Sequence, residues 1–301
     1  MKYKIKASKN FEHKSDCLVV MLKELKKLST QQSELNKLTG NAIDKLQNAG
    51  LLSGARGEIV SLPVPTGLGA AKLILVGIGS AKKMDTEEVR TLLTSLAKKL
   101  KSENLSEACF ELDALAAKSD VATVSRHLLE AIGDCYYQYV KMPKADKVES
   151  KSKPFKATIF CEDSKTAAQA RKGAATGLAI DNGKTLAKDL SNMPGNVCTP
   201  TYLADRAKKL AKSHQLKVKI LNEKAMEELK MGSLLSVSRG SRQPAKLIVM
   251  EYQGAKNPKD APHALVGKGL TFDAGGISLK PGAKMDEMKY DMCGSASVFG
   301  T

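Results

Sequence analysis

The sequence predicts an α/β fold in two parts: an N-terminal α/β domain joined by a long helix to a second α/β domain with a mostly parallel sheet. Three observations lead to this fold class. Short apolar runs alternate with stretches of helical periodicity, turn signals separate these segments, and one long Ala-rich helical stretch follows the first block of alternation. At 301 residues the chain is also long enough to bury two ordinary cores.

Strands and helices alternate through the first part, which we place at residues 1–162. Apolar runs or period-two alternation predict strands, and apolar residues at helical spacing predict helices. The predicted strands are 2–8, Cys17–Leu22, Glu58–Leu62, Lys72–Ile78, a short strand around Cys109, and Ala157–Cys161. The predicted helices are Thr30–Gln47, Asp85–Lys101 and Ser119–Val140. The charged segment Lys141–Pro154 is predicted to form an exposed loop.

A linking helix is predicted across residues 163–191, because this stretch is rich in Ala, Lys and Gln and ends in the turn cluster Asn192–Asn196. The second part, residues 192–301, begins with a helix that Thr199 caps and that extends to Ser213. The elements predicted after it are strand Val218–Leu221, a helix capped by Asn222 and stopped by Gly232, and strands Leu247–Tyr252 and Ala264–Val266. Such alternation predicts a mostly parallel sheet covered by helices.

Composition argues against several classes of protein. Hydrophobic residues make up 42% and charged residues 27% of the chain, which is typical of a folded globular protein. No stretch approaches the ~18 consecutive apolar residues of a membrane span, so we expect no membrane association and a cytoplasmic location. The six cysteines form no C-x-x-C pair and the four histidines are isolated, so neither a disulfide framework nor a His-based metal site is predicted.

The net charge of +16 raises the possibility of DNA binding, because clustered Lys and Arg bind phosphates by releasing counterions. The excess is mostly Lys, and it is spread over predicted helix faces such as 98–101 and 208–212 without interleaved aromatic residues. We therefore favour a solvated basic surface over a nucleic-acid interface, and keep DNA binding as an alternative.

The candidate functional residues follow the last predicted strand. Lys268, Asp273, Lys280 and Asp291 lie in a glycine-rich stretch, where open α/β sheets place their ligands. Glycines permit close backbone approach, so side chains far apart along the stretch can face one centre. Carboxylates are suitable ligands for divalent cations such as Mn²⁺, Mg²⁺ or Zn²⁺, and a lysine beside such an ion can lose its proton and bind it.

Two alternatives remain open at this point. The same residues would also suit a glycine-rich loop with surface salt bridges, and spacing alone does not demand a metal. Met285, Met288 and Met292 fall at helical spacing, which is typical of core packing, especially for Met285 and Met292.

A longer motif surrounds these residues. Gly267–Lys280 matches the pattern G-K-G-[IL]-T-F-D-[ST]-G-G-[IL]-x-[IL]-K, except that Ala274 replaces Ser or Thr. The match extends through Met288–Gly294 and includes the upstream segments Leu190–Pro200 and Met231–Tyr252. On these motifs the chain resembles the cytosolic leucyl aminopeptidase family, two-metal exopeptidases that release N-terminal amino acids from peptides. The first 160 residues match only in general pattern.

The resemblance implies a role for each matching residue. Lys268, Asp273 and Asp291 would bind two divalent ions, Mn²⁺ or Zn²⁺, with Asp273 shared between them. Lys280 would be the catalytic lysine that polarises the scissile carbonyl. Met288, together with Lys280 and Asp273, would contact the peptide substrate, with leucine and other apolar first residues preferred. The family also implies a bicarbonate in the complete site and a homo-hexamer.

Besides Ala274, the sequence departs from the family in one further respect. The family's Asn-Thr-Asp-Ala-Glu-Gly-Arg segment, which supplies two more carboxylate ligands and the arginine that holds bicarbonate, does not occur in these 301 residues. We therefore expect an incomplete catalytic domain, a truncated product or fragment, and little activity from this chain alone. The alternatives are a DNA-binding regulator, as some bacterial relatives also act on DNA, or a catalytically dead remnant.

Overall fold

The computed structural model describes residues 1–8, 11–24, 28–63, 67–80, 82–139 and 154–301. The chain divides into two compact units, Met1–Asp181 and Asn182–Thr301. Residues 141–153 of the predicted loop lie outside the described residues, so the loop stays a prediction. The predicted division into residues 1–162, 163–191 and 192–301 also stays a prediction. No described helix is both long and apolar enough to span a bilayer.

One six-stranded sheet organises the first unit. Its strands are β1 (Lys2–Lys6), β2 (Leu18–Leu22), β3 (Ile59–Pro63), β4 (Lys72–Gly77), β5 (Glu107–Glu111) and β6 (Lys156–Phe160). They lie in the order β1-β6-β5-β2-β4-β3, and every neighbouring pair is parallel except β3 and β4. The predicted α/β fold class is therefore confirmed, and its mostly parallel sheet lies in the first unit.

Helices cover both faces of this sheet. The helices of the first unit are α1 (Thr30–Leu38), α2 (Ala42–Asn48), α3 (Thr86–Ser102), α4 (Asp113–Ala116), α5 (Val121–Tyr136) and the first part of α6 (Ser164–Asn192). Alternate residues of β2 pack on opposite faces of the sheet. Val19 belongs to an apolar cluster with residues of α3, α5 and the start of α6, and Val20 belongs to a second cluster with residues of α1 and α2. All five residues of β2 are buried because neither sheet face is left to solvent.

Local chemistry explains where these helices begin and end. Asp85 accepts a hydrogen bond from the Glu88 N–H, and the Glu88 side chain accepts one from the Asp85 N–H, which gives α3 a capping box.

The single helix predicted over Thr30–Gln47 is instead two helices. Gly40 and Asn41 both adopt left-handed backbone angles between α1 and α2, which the helical periodicity did not reveal.

The second unit contains the end of α6 (Ser164–Asn192), the long helix that was predicted over residues 163–191. Its remaining elements are α7 (Pro200–His214), β7 (Lys217–Leu221), α8 (Glu223–Glu228), α9 (Gly232–Ser238), β8 (Leu247–Glu251), a 3₁₀ helix (Met285–Met292) and α10 (Cys293–Gly300). Its two described strands, β7 and β8, form an antiparallel pair, so the mostly parallel sheet is a feature of the first unit.

Two predictions for this unit are wrong. Ala264–Val266 is not a strand: Leu265 and Val266 are largely exposed, and no described strand pairs with them. Apolar residues predict a strand only where a neighbour supplies the backbone hydrogen bonds. Gly232 does not stop a helix but begins α9, because α8 has already ended at Glu228.

Candidate metal centre

The predicted site residues lie in two consecutive segments of the second unit. Lys268, Asp273 and Lys280 belong to residues 252–284, which contain neither helix nor strand. Met288 and Asp291 belong to the 3₁₀ helix that follows. The 3₁₀ helix continues directly into α10, so Asp291 is held at the junction of two helical segments.

The four charged residues form two ion pairs. The Lys268 Nζ lies 2.8 Å from Asp291 Oδ1, and the Lys280 Nζ lies 2.8 Å from Asp273 Oδ2. The Lys280 ammonium also donates to the Met288 Sδ at 3.0 Å. The structure thus brings all five predicted site residues into contact as two groups, one of which contains Met288.

A closed loop orients Asp273 and Lys280. The Gly275 N–H donates to Asp273 Oδ1 at 2.8 Å, and the Lys280 N–H donates to the Ala274 carbonyl at 2.9 Å. Gly275 has a φ of 93°, and a Cβ there would lie 2.4 Å from the Ser278 carbonyl oxygen. Only glycine suits this position, so the glycine-rich motif makes the turn that brings Lys280 back to Asp273.

Electrostatic coupling links the two ion pairs. The hydrogen bond with Asp291 raises the pKa of Lys268, and the charges of Asp291 and Asp273 act in the same direction. The hydrogen bond from Lys280 lowers the pKa of Asp273, with further contributions from the Gly275 N–H and the charge of Lys268. Lys268 therefore lies close enough to Asp273 for each charge to stabilise the other.

One carboxylate oxygen has capacity for a further ligand. Asp291 Oδ2 is buried and has no hydrogen-bond partner, although Asp291 Oδ1 is paired with Lys268. A buried carboxylate oxygen without a partner is costly, and a hard cation would satisfy it. In the part of the chain that the structure describes, no group of three or more His, Cys, Asp and Glu residues could hold a metal. The available donors are thus two carboxylates and a lysine amine.

Spacing along the sequence predicted only some features of this region. Met292 is fully buried, as its helical spacing indicated, whereas Met285 is only half-buried. The contact between Met288 and Lys280 was not anticipated, because it depends on how the loop closes. The Ser295 N–H also donates to the Lys268 carbonyl at 2.7 Å, which joins α10 to the segment that carries Lys268.

Comparison with known proteins identifies the family. Residues 19–144 match the sequence model described as the N-terminal domain of the cytosol aminopeptidase family, and residues 185–301 match the model of its catalytic domain. The chain belongs to the cytosol aminopeptidase family. The catalytic-domain match includes every residue of the candidate metal centre.

Cytosol aminopeptidases from bacteria are similar to the chain along nearly all of its length. It is 42% identical to a probable cytosol aminopeptidase of Nitrosococcus oceani, over 96% of this chain and 58% of that protein. It is 41% identical to the cytosol aminopeptidase of Pseudomonas aeruginosa, over 100% of this chain and 60% of that protein. The chain thus spans about 60% of the length of the curated relatives it matches.

Two solved structures have a similar fold. The bottromycin maturation enzyme BotP in complex with Mn is 25% identical, with a TM-score of 0.66 over 95% of this chain and 55% of that one. A mutant of tomato leucine aminopeptidase, at 24% identity, has a TM-score of 0.75 over 100% of this chain and 58% of that one.

None of these relatives is described as binding DNA, so the DNA-binding alternative gains no support.

Proposed function

We propose that this chain provides the N-terminal domain and part of the metal centre of a metal-dependent aminopeptidase, which releases N-terminal amino acids from peptides. The observation that carries the proposal is the buried, unpartnered Asp291 Oδ2 beside the Lys268 amine. A surface salt bridge alone does not account for a buried oxygen without a partner, whereas a role as a cation ligand does. Family membership supports the same conclusion.

The proposed ligands of two divalent ions are Lys268, Asp273 and Asp291, with Asp273 shared. Carboxylate oxygens and an amine nitrogen are compatible with either Mn²⁺ or Zn²⁺, and a relative has been solved in complex with Mn. When bound, such ions polarise a peptide carbonyl as Lewis acids. Lys268 would have to give up its proton to act as a ligand, and its ion pair with Asp291 would then be replaced by contacts to the cation.

Lys280 is proposed as the donor to the substrate carbonyl oxygen. Its ammonium contacts Asp273 and Met288, so it is held directly beside one of the proposed metal ligands. A charge-assisted donor aimed where negative charge develops stabilises the transition state. Since Met288 contacts the same ammonium, the pocket for the first side chain would lie beside that donor, and leucine and other apolar residues would suit a thioether surface.

The remaining parts of the proposal come from the family alone. They are a bicarbonate in the complete site, a homo-hexameric assembly and a cytoplasmic location, the last in keeping with relatives named cytosol aminopeptidases. Hydrolysis of peptides by a longer protein that contains this sequence is likewise part of the proposal.

Calorimetric titration of the chain with Mn²⁺ tests the metal centre. We expect Asp291→Asn to weaken binding by roughly 10- to 100-fold, because the amide supplies one neutral oxygen in place of the carboxylate. Asp286→Asn is the matched control, since Asp286 is exposed in the same 3₁₀ helix. Equal affinities of the two variants would contradict the assignment.

We expect negligible hydrolysis of leucine p-nitroanilide by this chain, because its proposed site has two carboxylates and lacks the two further carboxylates and the arginine that the family's complete site contains.

A further inference from the structure

The two segments that carry Lys268 and Asp291 meet through glycines. A Cβ built on Gly294 would lie 2.8 Å from the Lys268 backbone nitrogen, and a Cβ on Gly267 would lie 2.5 Å from the Gly294 carbonyl oxygen. Both contacts are with backbone atoms, which cannot turn aside as a flexible side chain would. The first turn of α10 therefore lies so close to the backbone of residues 267–269 that only glycine, which has a hydrogen atom in place of Cβ, fits at these two positions.

Hydrogen bonds fix this contact in place. The Ser295 N–H donates to the Lys268 carbonyl at 2.7 Å, and the Ser295 hydroxyl donates to the Met292 carbonyl at 2.8 Å. Asp291 is joined to this turn through Met292, and Lys268 is directly bonded to Gly267. The backbone contact and the 2.8 Å distance between Lys268 Nζ and Asp291 Oδ1 thus belong to one short structural unit.

We propose that Gly267 and Gly294 are positioning residues of the metal centre, because the close contact they permit sets the separation of the Lys268 amine and the Asp291 carboxylate. This inference rests on the proposed function. Metal–ligand distances are restricted to within about 0.2 Å, so a shift of one segment by even half an ångström would impair joint binding. Neither glycine touches the ion in this scheme, and both act through the backbone that bears the ligands.

The chain offers a graded set of glycines for the test. Neither Gly267 nor Gly294 has a positive φ, so alanine introduces no backbone strain at either position and only the contact changes. Gly269 would place its Cβ 3.5 Å from the Ser295 side chain, which is an ordinary contact, and Gly282 would meet nothing within 4 Å. Gly269→Ala and Gly282→Ala are therefore matched controls from the same region.

The experiment titrates Mn²⁺ into the full 301-residue chain and its four alanine variants. We expect Gly294→Ala and Gly267→Ala to weaken binding by roughly 10- to 100-fold, which is typical when a residue that orients metal ligands is changed. Gly269→Ala should have little effect and Gly282→Ala none. Equal affinity of Gly294→Ala and Gly282→Ala would overturn the proposal, as would equal losses in all four variants.

Hydrogen exchange of the Ser295 amide in the metal-free chain distinguishes failure of this inference from failure of the proposed function. Gly294→Ala should expose this amide, because its bond to the Lys268 carbonyl needs the close contact. Loss of protection with unchanged Mn²⁺ affinity would refute the positioning role alone. A wild-type chain with a protected Ser295 amide but no Mn²⁺ binding would refute the proposed metal centre, and the positioning role with it. Circular dichroism of each variant checks that the chain is folded.

Discussion

The two units differ in how completely their own residues cover their apolar side chains. Every member of the two large hydrophobic clusters lies in the first unit, where Leu75 of β4 is fully buried. In the second unit most strand residues are exposed or half-buried, and Val266 is 95% exposed. The difference teaches that the largest apolar clusters and the candidate chemistry are separated in this chain: the clusters lie in the first unit, and the candidate metal centre lies in the second.

Hydrogen exchange should reveal the largest difference between the units. We expect amides of β2 and β4 to exchange on the order of 10³-fold or more slowly than those of β7 and β8, because the central strands open only when the first core unfolds. Mass spectrometry of peptides from a time course measures both sets in one sample. Similar protection of the two strand pairs would show that the second unit is as stable as the first.

Truncating one leucine in each unit sharpens the comparison. Leu75→Ala should lower the free energy of unfolding by roughly 2–5 kcal/mol, because it leaves a cavity in the first core. Leu265→Ala should change it by less than about 0.5 kcal/mol, because Leu265 is 61% exposed. Urea unfolding followed by circular dichroism measures both changes. A large effect of Leu265→Ala would mean that this side chain is buried in solution.

Local signals explain why most of the first unit could be predicted. Apolar runs such as Leu18–Leu22 have both faces buried by helices that follow along the same chain, and the Asp85 cap marks the start of α3. Prediction failed where the outcome depends on distant partners or on special backbone angles. Val266 looks like a strand residue but has no described strand beside it, and the turn at Gly40 divides a segment whose periodicity continues.

The candidate site was predictable only in part, for a related reason. The motif identified Lys268, Asp273, Lys280, Met288 and Asp291, and the structure brings these residues together. The pairing of each lysine with a particular aspartate was not predictable, because it depends on the turn at Gly275 and on the junction before α10. Distances of this kind follow from loop closure rather than from residue type.

An ion-pair network at one end of α3 gives the first unit a defined acid sensitivity. Burial acts to raise the pKa of Glu103, but hydrogen bonds from Lys72, Lys99 and Ser61 outweigh it and lower this pKa to about 2. Because the folded pKa is below the ordinary value of 4.5, the stabilisation is fully present above about pH 4.5 and is lost as the pH falls towards 2.

Glu103→Gln should therefore lower the free energy of unfolding at neutral pH by up to about 3 kcal/mol and reduce its decline between pH 4.5 and 2. Glu87→Gln is the control, because the Glu87 pair with Arg90 is exposed and should contribute at most about 1 kcal/mol. Urea unfolding across this pH range measures both. Parallel pH profiles of Glu103→Gln and the wild type would contradict the role of the network.

The smallest expected effect distinguishes the two lysines of the candidate metal centre, Lys268 and Lys280. Lys268→Ala should weaken Mn²⁺ binding roughly tenfold, because it removes a proposed ligand. Lys280→Ala should leave the affinity unchanged or slightly higher, because it removes a positive charge that lies beside Asp273. Calorimetric titration of both variants decides between them. A loss confined to Lys280→Ala would reverse the proposed roles.

The position of β1 at one edge of the sheet affects how the protein folds during its synthesis. Among the described strands β1 pairs with β6, so Lys2–Lys6 must wait for residues 156–160 to leave the ribosome. At about 5–20 residues per second, this wait lasts roughly 10–30 seconds. Lys2, Lys4 and Lys6 alternate with apolar residues along this strand, and such charges discourage pairing with other nascent chains. The lysines would thus protect the first strand until its partner has been made.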